Sequence, residues 1–239
     1  TIFRTQKECL DVGFLANILE NHDEPRGNSR YLPEHAQNEQ GIKMLGTVSV
    51  LLRGLPFLYQ GQEIGMRNCP MDSIEDYDDI STKNEYANAI ADGCSEAEAL
   101  KACCRFSRDN ARTPMQWDDS PNAGFTAGKP WLNVAAQTQD ENSVLWYYRK
   151  LIALRKSEDY CEIFTYGDFE PLFETEEKIL AYRRSLNGRD VIVAANFGIE
   201  CRYICNALLL DKQVLLSNGS VVLKKDTLEL QPSQVVVLA

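Results

Sequence analysis

The chain has 239 residues, 44% of them hydrophobic, which is enough for one large domain or for one medium and one small. Its 35 acidic and 25 basic side chains leave a net charge of −10, which argues against nucleic acid or an anionic membrane as partner, and no apolar run approaches a membrane span. The eight cysteines form no C-x-x-C pair and only two histidines accompany them, so free thiols in a soluble, cytoplasmic protein are expected, with no metal and no cofactor.

Thr1 is not an initiating Met and no secretory segment follows it, so the start reads as that of a fragment. A strand over 15–20 runs into Asn21-His22-Asp23-Glu24-Pro25-Arg26, where Pro25 enforces a turn. Helical spacing of Ile42, Leu45, Val48 and Leu52 predicts a helix over 39–53, closed by Gly54. A second strand over 55–59 ends in the polar turn Gln60-Gly61-Gln62-Glu63, which completes the βαβ grammar of a parallel sheet or barrel. Helices follow over 82–92 and 95–106, the second opened by a capping box of Ser95 and Glu98. Residues 108–131 form a long irregular segment, and 144–155 an amphipathic helix burying Val144, Tyr148, Leu151 and Ile152.

Beyond about residue 160 the pattern becomes short strands, at 167–173, 179–185, 191–196, 213–216 and 235–238. Asn187-Gly188 and Asn218-Gly219 are the strongest hairpin signals. Cys201 and Cys205 can share one strand face, with buried packing expected for both.

The 21–26 cluster places two carboxylates, an imidazole and a guanidinium at a strand end. An ionised carboxylate accepts two hydroxyl hydrogen bonds and a neutral imidazole donates one, which suits proton transfer or sugar binding. An Asp gripping sugar hydroxyls more tightly as the ring flattens would stabilise an oxocarbenium-like transition state. The alternative is a structural turn in which Asp23 pairs with Arg26. Trp117 and Trp131 could stack on sugar but more simply pin their loop, Glu75 to Asp79 reads as a solvated or structural acidic run, and His35 reads as surface.

Leu19-Glu-Asn-His-Asp-Glu-Pro-Arg26 resembles the fourth signature region of the α-amylase superfamily, in its oligo-1,6-glucosidase and α-glucosidase branch. Leu55-Pro-Phe-Leu-Tyr-Gln-Gly-Gln-Glu-Ile-Gly-Met66 is similar to the end of that family's eighth barrel strand. Ser73-Ile-Glu-Asp-Tyr-Asp-Asp-Ile80, Ser107-Arg-Asp-Asn-Ala-Arg-Thr-Pro-Met-Gln-Trp-Asp118 and Tyr147-Tyr-Arg-Lys-Leu-Ile-Ala-Leu-Arg155 resemble the segments that follow.

The resemblance implies an α/β fold: the C-terminal portion of a (β/α)8 TIM barrel over 1–160, then an antiparallel β-sandwich domain over 161–239. It implies a retaining, exo-acting α-glucosidase cleaving α-1,6 or α-1,4 glucosidic oligosaccharides. Asp23 matches the transition-state stabiliser, and His22 and Arg108 match binders of the same glucosyl unit. Glu24 stands where the family commonly has Gln, and Gln62 where many relatives have Glu; both fall on the possible leaving-group side. The family's nucleophile and acid/base belong to earlier strands, and their motifs do not occur here. The chain alone is therefore expected to be inactive, with an apolar barrel edge that a missing N-terminal segment or another chain must cover. Neighbouring branches share these motifs: trehalose-6-phosphate hydrolases, dextran glucosidases and sucrose-isomerising transglucosylases. The non-enzyme alternative is the glucosidase-like ectodomain of an amino-acid-transporter heavy subunit, for which Asn218-Gly-Ser220 is weak support.

Overall fold

The computed structural model describes residues 2–134 and 143–239. In chain order the helices are α1 (Ile2–Glu8), α2 (Gly27–Tyr31), α3 (Glu39–Val50), α4 (Ile80–Ala91), α5 (Glu96–Phe106), α6 (Asp109–Arg112), α7 (Val144–Lys156) and α8 (Cys161–Tyr166). The strands are β1 (Ala16–Ile18), β2 (Leu55–Phe57), β3 (Asp168–Leu172), β4 (Ile179–Leu186), β5 (Arg189–Asn196), β6 (Arg202–Cys205), β7 (Val214–Ser217), β8 (Val222–Lys224), β9 (Thr227–Leu230) and β10 (Val235–Leu238). They fall into two compact units: Thr1–Ile18, Glu34–Phe57 and Trp146–Ala239 form one, Leu19–Pro33 and Leu58–Leu145 the other.

In the first unit β1 and β2 pair in parallel, Ala16 opposite Leu55 and Ile18 opposite Phe57, with α3 between them in the chain. The expected βαβ unit is present, its strands trimmed from 15–20 and 55–59 to three residues each. The pairing needs a glycine at position 54, where φ is +126° and an added Cβ would lie 2.3 Å from Leu15 O. Helix α3 starts at the N-cap Asn38, whose Oδ1 accepts from Gly41 N–H at 3.1 Å. It buries Ile42, Met44, Leu45 and Val48, about 1.5–3 kcal/mol for each large apolar side chain. Arg155 on α7 donates to Val50 O and Gly54 O, both at 2.7 Å, satisfying one carbonyl that the end of α3 leaves open and one in the turn before β2.

The β-rich part holds a five-stranded antiparallel sheet, β3-β4-β5-β10-β7, and a three-stranded one, β6-β9-β8. Ala181, Ile192, Ala194, Val236 and Leu238 on the larger sheet share one core with Ile204, Leu228 and Leu230 on the smaller. The period of two sends Tyr182 and Arg184 to the opposite face, where Tyr182 OH donates to Val48 O at 2.9 Å. Arg184 is fully buried there, donating to Asp168 O, Leu51 O, Phe164 O and Gly167 O at 2.8–3.2 Å. Burial pushes its guanidinium down to about 10, still far above neutral, so the charge persists.

Asn187-Gly188 closes the β4–β5 hairpin as expected, with φ of 52° and 77° in the two-residue turn that matches strand twist. Asn218-Gly219 does not close one: it joins β7 to β8, which belong to different sheets. Asn218 acts through its side chain instead, donating to Ser233 O at 2.7 Å and accepting from Val235 N–H at 2.9 Å. The second tight hairpin is β8–β9, turned at Lys225-Asp226, where Asp226 is a common turn residue but Lys225, at φ 54°, is not. Cys201 is half-buried and Cys205 exposed, against the buried packing expected for both: Cys201 lies just before β6, and in β6 the alternation gives the core face to Ile204 and the outer face to Cys205. All eight cysteines are free, and no described helix is long and apolar enough to cross a membrane.

In the second unit α4 and α5 frame a small core of Met71, Tyr77, Cys103 and Leu132. The Ser95–Glu98 capping box is formed, Ser95 N–H to Glu98 Oε2 at 3.0 Å and Glu98 N–H to Ser95 Oγ at 3.3 Å.

Candidate active site

The candidate site lies within the second unit, on the turn after β1 and on the loop–helix segment 107–112. Asn21 Oδ1 accepts Asp23 N–H at 2.8 Å, an Asx turn that needs no helix and presents the Asp23 side chain half exposed. His22 Nε2 stands 3.2 Å from Asp23 Oδ2. Asp23 Oδ1 receives Arg108 Nη1 at 3.3 Å and Arg112 Nη2 at 3.1 Å, and Arg112 Nε also donates to His22 O at 2.9 Å. The three expected site residues, His22, Asp23 and Arg108, therefore meet at one carboxylate, although 85 residues separate Asp23 from Arg108.

A second carboxylate completes the arrangement. Asp79 Oδ1 accepts Arg108 Nη2 at 2.5 Å and lies 3.6 Å from Arg112 Nη1, so two guanidinium forks bridge Asp23 and Asp79. Asp79 is also the N-cap of α4, accepting Thr82 N–H at 3.0 Å and Thr82 Oγ1–H at 2.9 Å. Its own N–H and that of Asp78 are held by Asp109 Oδ2 at 2.8 and 2.7 Å. Burial works against its ionisation, but the hydrogen bonds from Arg108 and Thr82 and the Arg108 charge outweigh that and hold Asp79 below the usual carboxylate range. The same bond raises Arg108 further, with Asp23 adding to it.

Arg112 and Asp79 join the site from segments whose sequence does not mark them as site residues, Asp79 from the acidic run read as solvated or structural. Arg112 sits inside the 107–118 motif, and the N-cap position of Asp79 before a helical run was the available signal for the other. The acidic run is structural at Asp79 and at Asp76, whose carboxylate accepts the N–H of the N-cap Ser73 in a capping box, and Glu75, Asp76 and Asp78 are all exposed.

Asp23 does not pair with Arg26, the structural alternative for this turn. Arg26 turns inward to Glu20, Nη1 to Oε2 at 3.2 Å, and both side chains are buried. Burial pushes the Glu20 carboxyl up against the opposing pull of Arg26 and of the Gly27 and Asn28 amides. Glu24 is half-buried and bound by Arg30 of α2. Gln62 is buried, its Oε1 accepting Tyr59 N–H at 3.3 Å within its own turn. Trp117 and Trp131 are both exposed; Trp131 nonetheless ties its loop down, its Nε1 donating to Arg112 O at 3.2 Å and its ring meeting Phe125 edge-on at 5.2 Å. His35 is exposed as expected. No group of three or more potential metal ligands is found among the described residues.

A carboxylate fixed by two guanidinium groups and an imidazole, with half its surface open, is built to accept hydrogen bonds from a polyhydroxylated ligand without moving.

Residues 1–167 match the family model for the alpha amylase catalytic domain. The oligo-1,6-glucosidase of Parageobacillus thermoglucosidasius is 41% identical over 234 residues, 92% of this chain and 41% of that protein. Among solved structures, the trehalose-6-phosphate hydrolase TreA of Bacillus licheniformis superposes at a TM-score of 0.89 with 33% identity, covering 99% of this chain and 45% of that one. The isomaltulose synthase SmuA of Protaminobacter rubrum superposes at 0.85 with 35% identity, covering 100% and 45%. The chain spans about two fifths of the length of the curated relatives it matches. These likenesses carry a TIM-barrel fold followed by a β-rich C-terminal region. By its motifs, its fold and the extent of these matches, the chain belongs to the alpha-amylase family.

Proposed function

We propose that these residues are part of a retaining, exo-acting α-glucosidase that hydrolyses α-1,6 or α-1,4 glucosidic oligosaccharides in the cytoplasm. Asp23 is the transition-state stabiliser, and His22 and Arg108 bind the same glucosyl unit; Glu24 and Gln62 stand on the leaving-group side. The observation that carries this reading is the Asp23 carboxylate, held on one oxygen by Arg108 and Arg112 and on the other by His22, and left half open. Such a group binds sugar hydroxyls, and it does so best when ring flattening brings them into line.

Bond cleavage needs a nucleophile and an acid/base carboxylate about 5–5.5 Å apart across the scissile bond, and in our reading other barrel strands bring both. The paired strands β1 and β2 support this, because Ile18, Leu55 and Phe57 are each about half exposed, at 51, 56 and 52%. A parallel pair is stable when its neighbours cover it, so the remaining barrel segment, or another chain, belongs on that edge. The same reading takes 1–160 as barrel and 161–239 as a β-sandwich domain, which the shared core of the two C-terminal sheets supports.

The likeness to TreA keeps trehalose-6-phosphate hydrolysis as a second reading, and that to SmuA keeps sucrose isomerisation. The charge pattern favours an uncharged sugar. Arg108 and Arg112 are matched by Asp23 and Asp79, and Arg30 by Glu24, so these three cations are already neutralised before a phosphate arrives.

The test is to assay the complete protein and the 239-residue chain on isomaltose, maltose, sucrose and trehalose 6-phosphate. Turnover of isomaltose or maltose by the complete protein, its loss in D23N, and none by the chain alone are the expected results. No turnover of any α-glucoside by a folded complete protein would sink the reading.

A further inference from the structure

Three segments of the second unit converge on one side chain. Arg26, 1% exposed, donates through Nη1 to Gln60 O at 2.7 Å and to Glu20 Oε2 at 3.2 Å. Through Nη2 it reaches Ala111 O at 3.4 Å, and its main-chain N–H donates to Asn68 Oδ1 at 3.0 Å. The guanidinium lies over the Tyr59 ring, 5.3 Å from its centroid, and Tyr59 OH donates to the same Ala111 O at 3.2 Å. Glu20 Oε1 accepts Gly27 N–H at 2.9 Å. Glu20 therefore closes the base of the 20–27 loop that bears Asp23. Arg26 binds that base to the residue immediately before Arg112.

The backbone makes room for this pair on both sides. A Cβ on Gly27 would stand 2.9 Å from Glu20 Cγ. One on Gly61, where φ is +86°, would stand 2.3 Å from Met66 Sδ and 3.2 Å from Arg26 Nη1.

A buried ion pair is a poor source of stability, because desolvating both ions offsets their attraction and an apolar pair of similar volume often serves as well. What it supplies is direction: a planar fork that fixes specific oxygens relative to one another. We propose that Glu20 and Arg26 are positioning residues that set the placement of Asp23 against Arg108 and Arg112, and through it the grip on the sugar in the transition state. This rests on the role of Asp23 given above. Loose placement still allows sugar binding but forfeits the hydrogen bonds that strengthen only as the ring flattens, so the loss falls on kcat.

The experiment compares E20L/R26M, R26K and D23N in the complete enzyme, by melting temperature and by kcat and KM on its best α-glucoside. The apolar pair E20L/R26M leaves Gly27 N–H and Gln60 O without these partners and is expected to melt about 5–10 °C below the parent, still folded at the assay temperature. Its kcat is expected to fall about 100-fold with KM changed less than about threefold, the cost of a displacement of about 1 Å. R26K keeps a charge beside Glu20, but one ammonium cannot serve both Gln60 O and Ala111 O, so kcat drops about tenfold in a folded protein. D23N losing turnover while folded R26K and E20L/R26M keep the parental kcat overturns the positioning role and leaves Asp23 intact. A fall in kcat that only tracks a loss of folded protein in both variants makes the pair structural and overturns it as well. Parental turnover in D23N removes the reading of Asp23, and this proposal with it.

Discussion

Arg184 in the β-rich unit and Arg26 in the loop-rich unit are both buried to about 1% exposure or less, yet they are satisfied in opposite ways. Arg184 donates to four main-chain carbonyls: Asp168 O, Leu51 O, Phe164 O and Gly167 O. Arg26 shares its charge with Glu20 and reaches Gln60 O and Ala111 O besides. The difference tracks what each unit has to hold still. Around Arg184 the carbonyls belong to ends of regular elements, α3, α8 and the start of β3, whose last acceptors have no internal partner. Around Arg26 the chain is mostly turn, and a carboxylate is needed to fix a loop that has no ladder of its own. A cation can thus seal elements that already exist, or define the shape of a loop that otherwise has many.

This contrast can be broken most strongly at Arg184. R184M strips a donor from four buried carbonyls, and urea unfolding is expected to show a loss of about 3–5 kcal/mol. The next effect is at Asp79. D79N keeps the shape but weakens the hold on Arg108, and a loss of about 1–3 kcal/mol at pH 7 is expected. Because the folded carboxyl is depressed, its stabilisation is fully present above the unfolded value of about 4 and lost as pH falls through the lower folded value. The parent should therefore destabilise on acidification below about pH 4, and D79N should follow a flatter curve there. N187A probes the regular side, since Asn tolerates the φ of 52° that Ala resists, and about 1 kcal/mol is the expected cost by the same unfolding measurement. The smallest effect is E24Q: its partner Arg30 is as exposed as it is, so stability should stay within about 0.5 kcal/mol. A larger change on E24Q would mean that this pair, and not only Arg26, shapes the loop.

The elements with strong local signals were legible before any coordinates. The capping box at Ser95, the apolar stripe of α3 and the Asn187-Gly188 turn each need only neighbours within a few residues; the first and last formed where their patterns lay, and α3 formed from Glu39 but ended at Val50, short of the expected 53 and leaving Leu52 of the stripe outside it. Signals that depend on partners far along the chain misled. Asn218-Gly219 has hairpin composition, yet its flanking strands chose different sheets. Strands β8 and β9 carry weaker signals, three and four residues long, and the Thr-Leu-Glu-Leu alternation of β9 gains its meaning only when Leu228 and Leu230 meet the larger sheet in the shared core.

The candidate site divides along the same line. The sequence by itself determined the residue types at the site and the family to which they belong, because motifs such as 19–26 and 107–118 are local strings. It also determined that Asp23 sits on a turn, since Pro25 and Asn21 impose one through their own covalent and hydrogen-bonding chemistry. Only the tertiary structure decided who holds whom. Arg26 turned inward to Glu20, Arg112 joined Arg108 on Asp23, and Asp79 entered from the cap of α4. These choices are made by which buried charges find an opposite charge within hydrogen-bond reach once the chain is packed. That cost of leaving a charge unpaired is felt across 85 residues of sequence and is written in none of them singly.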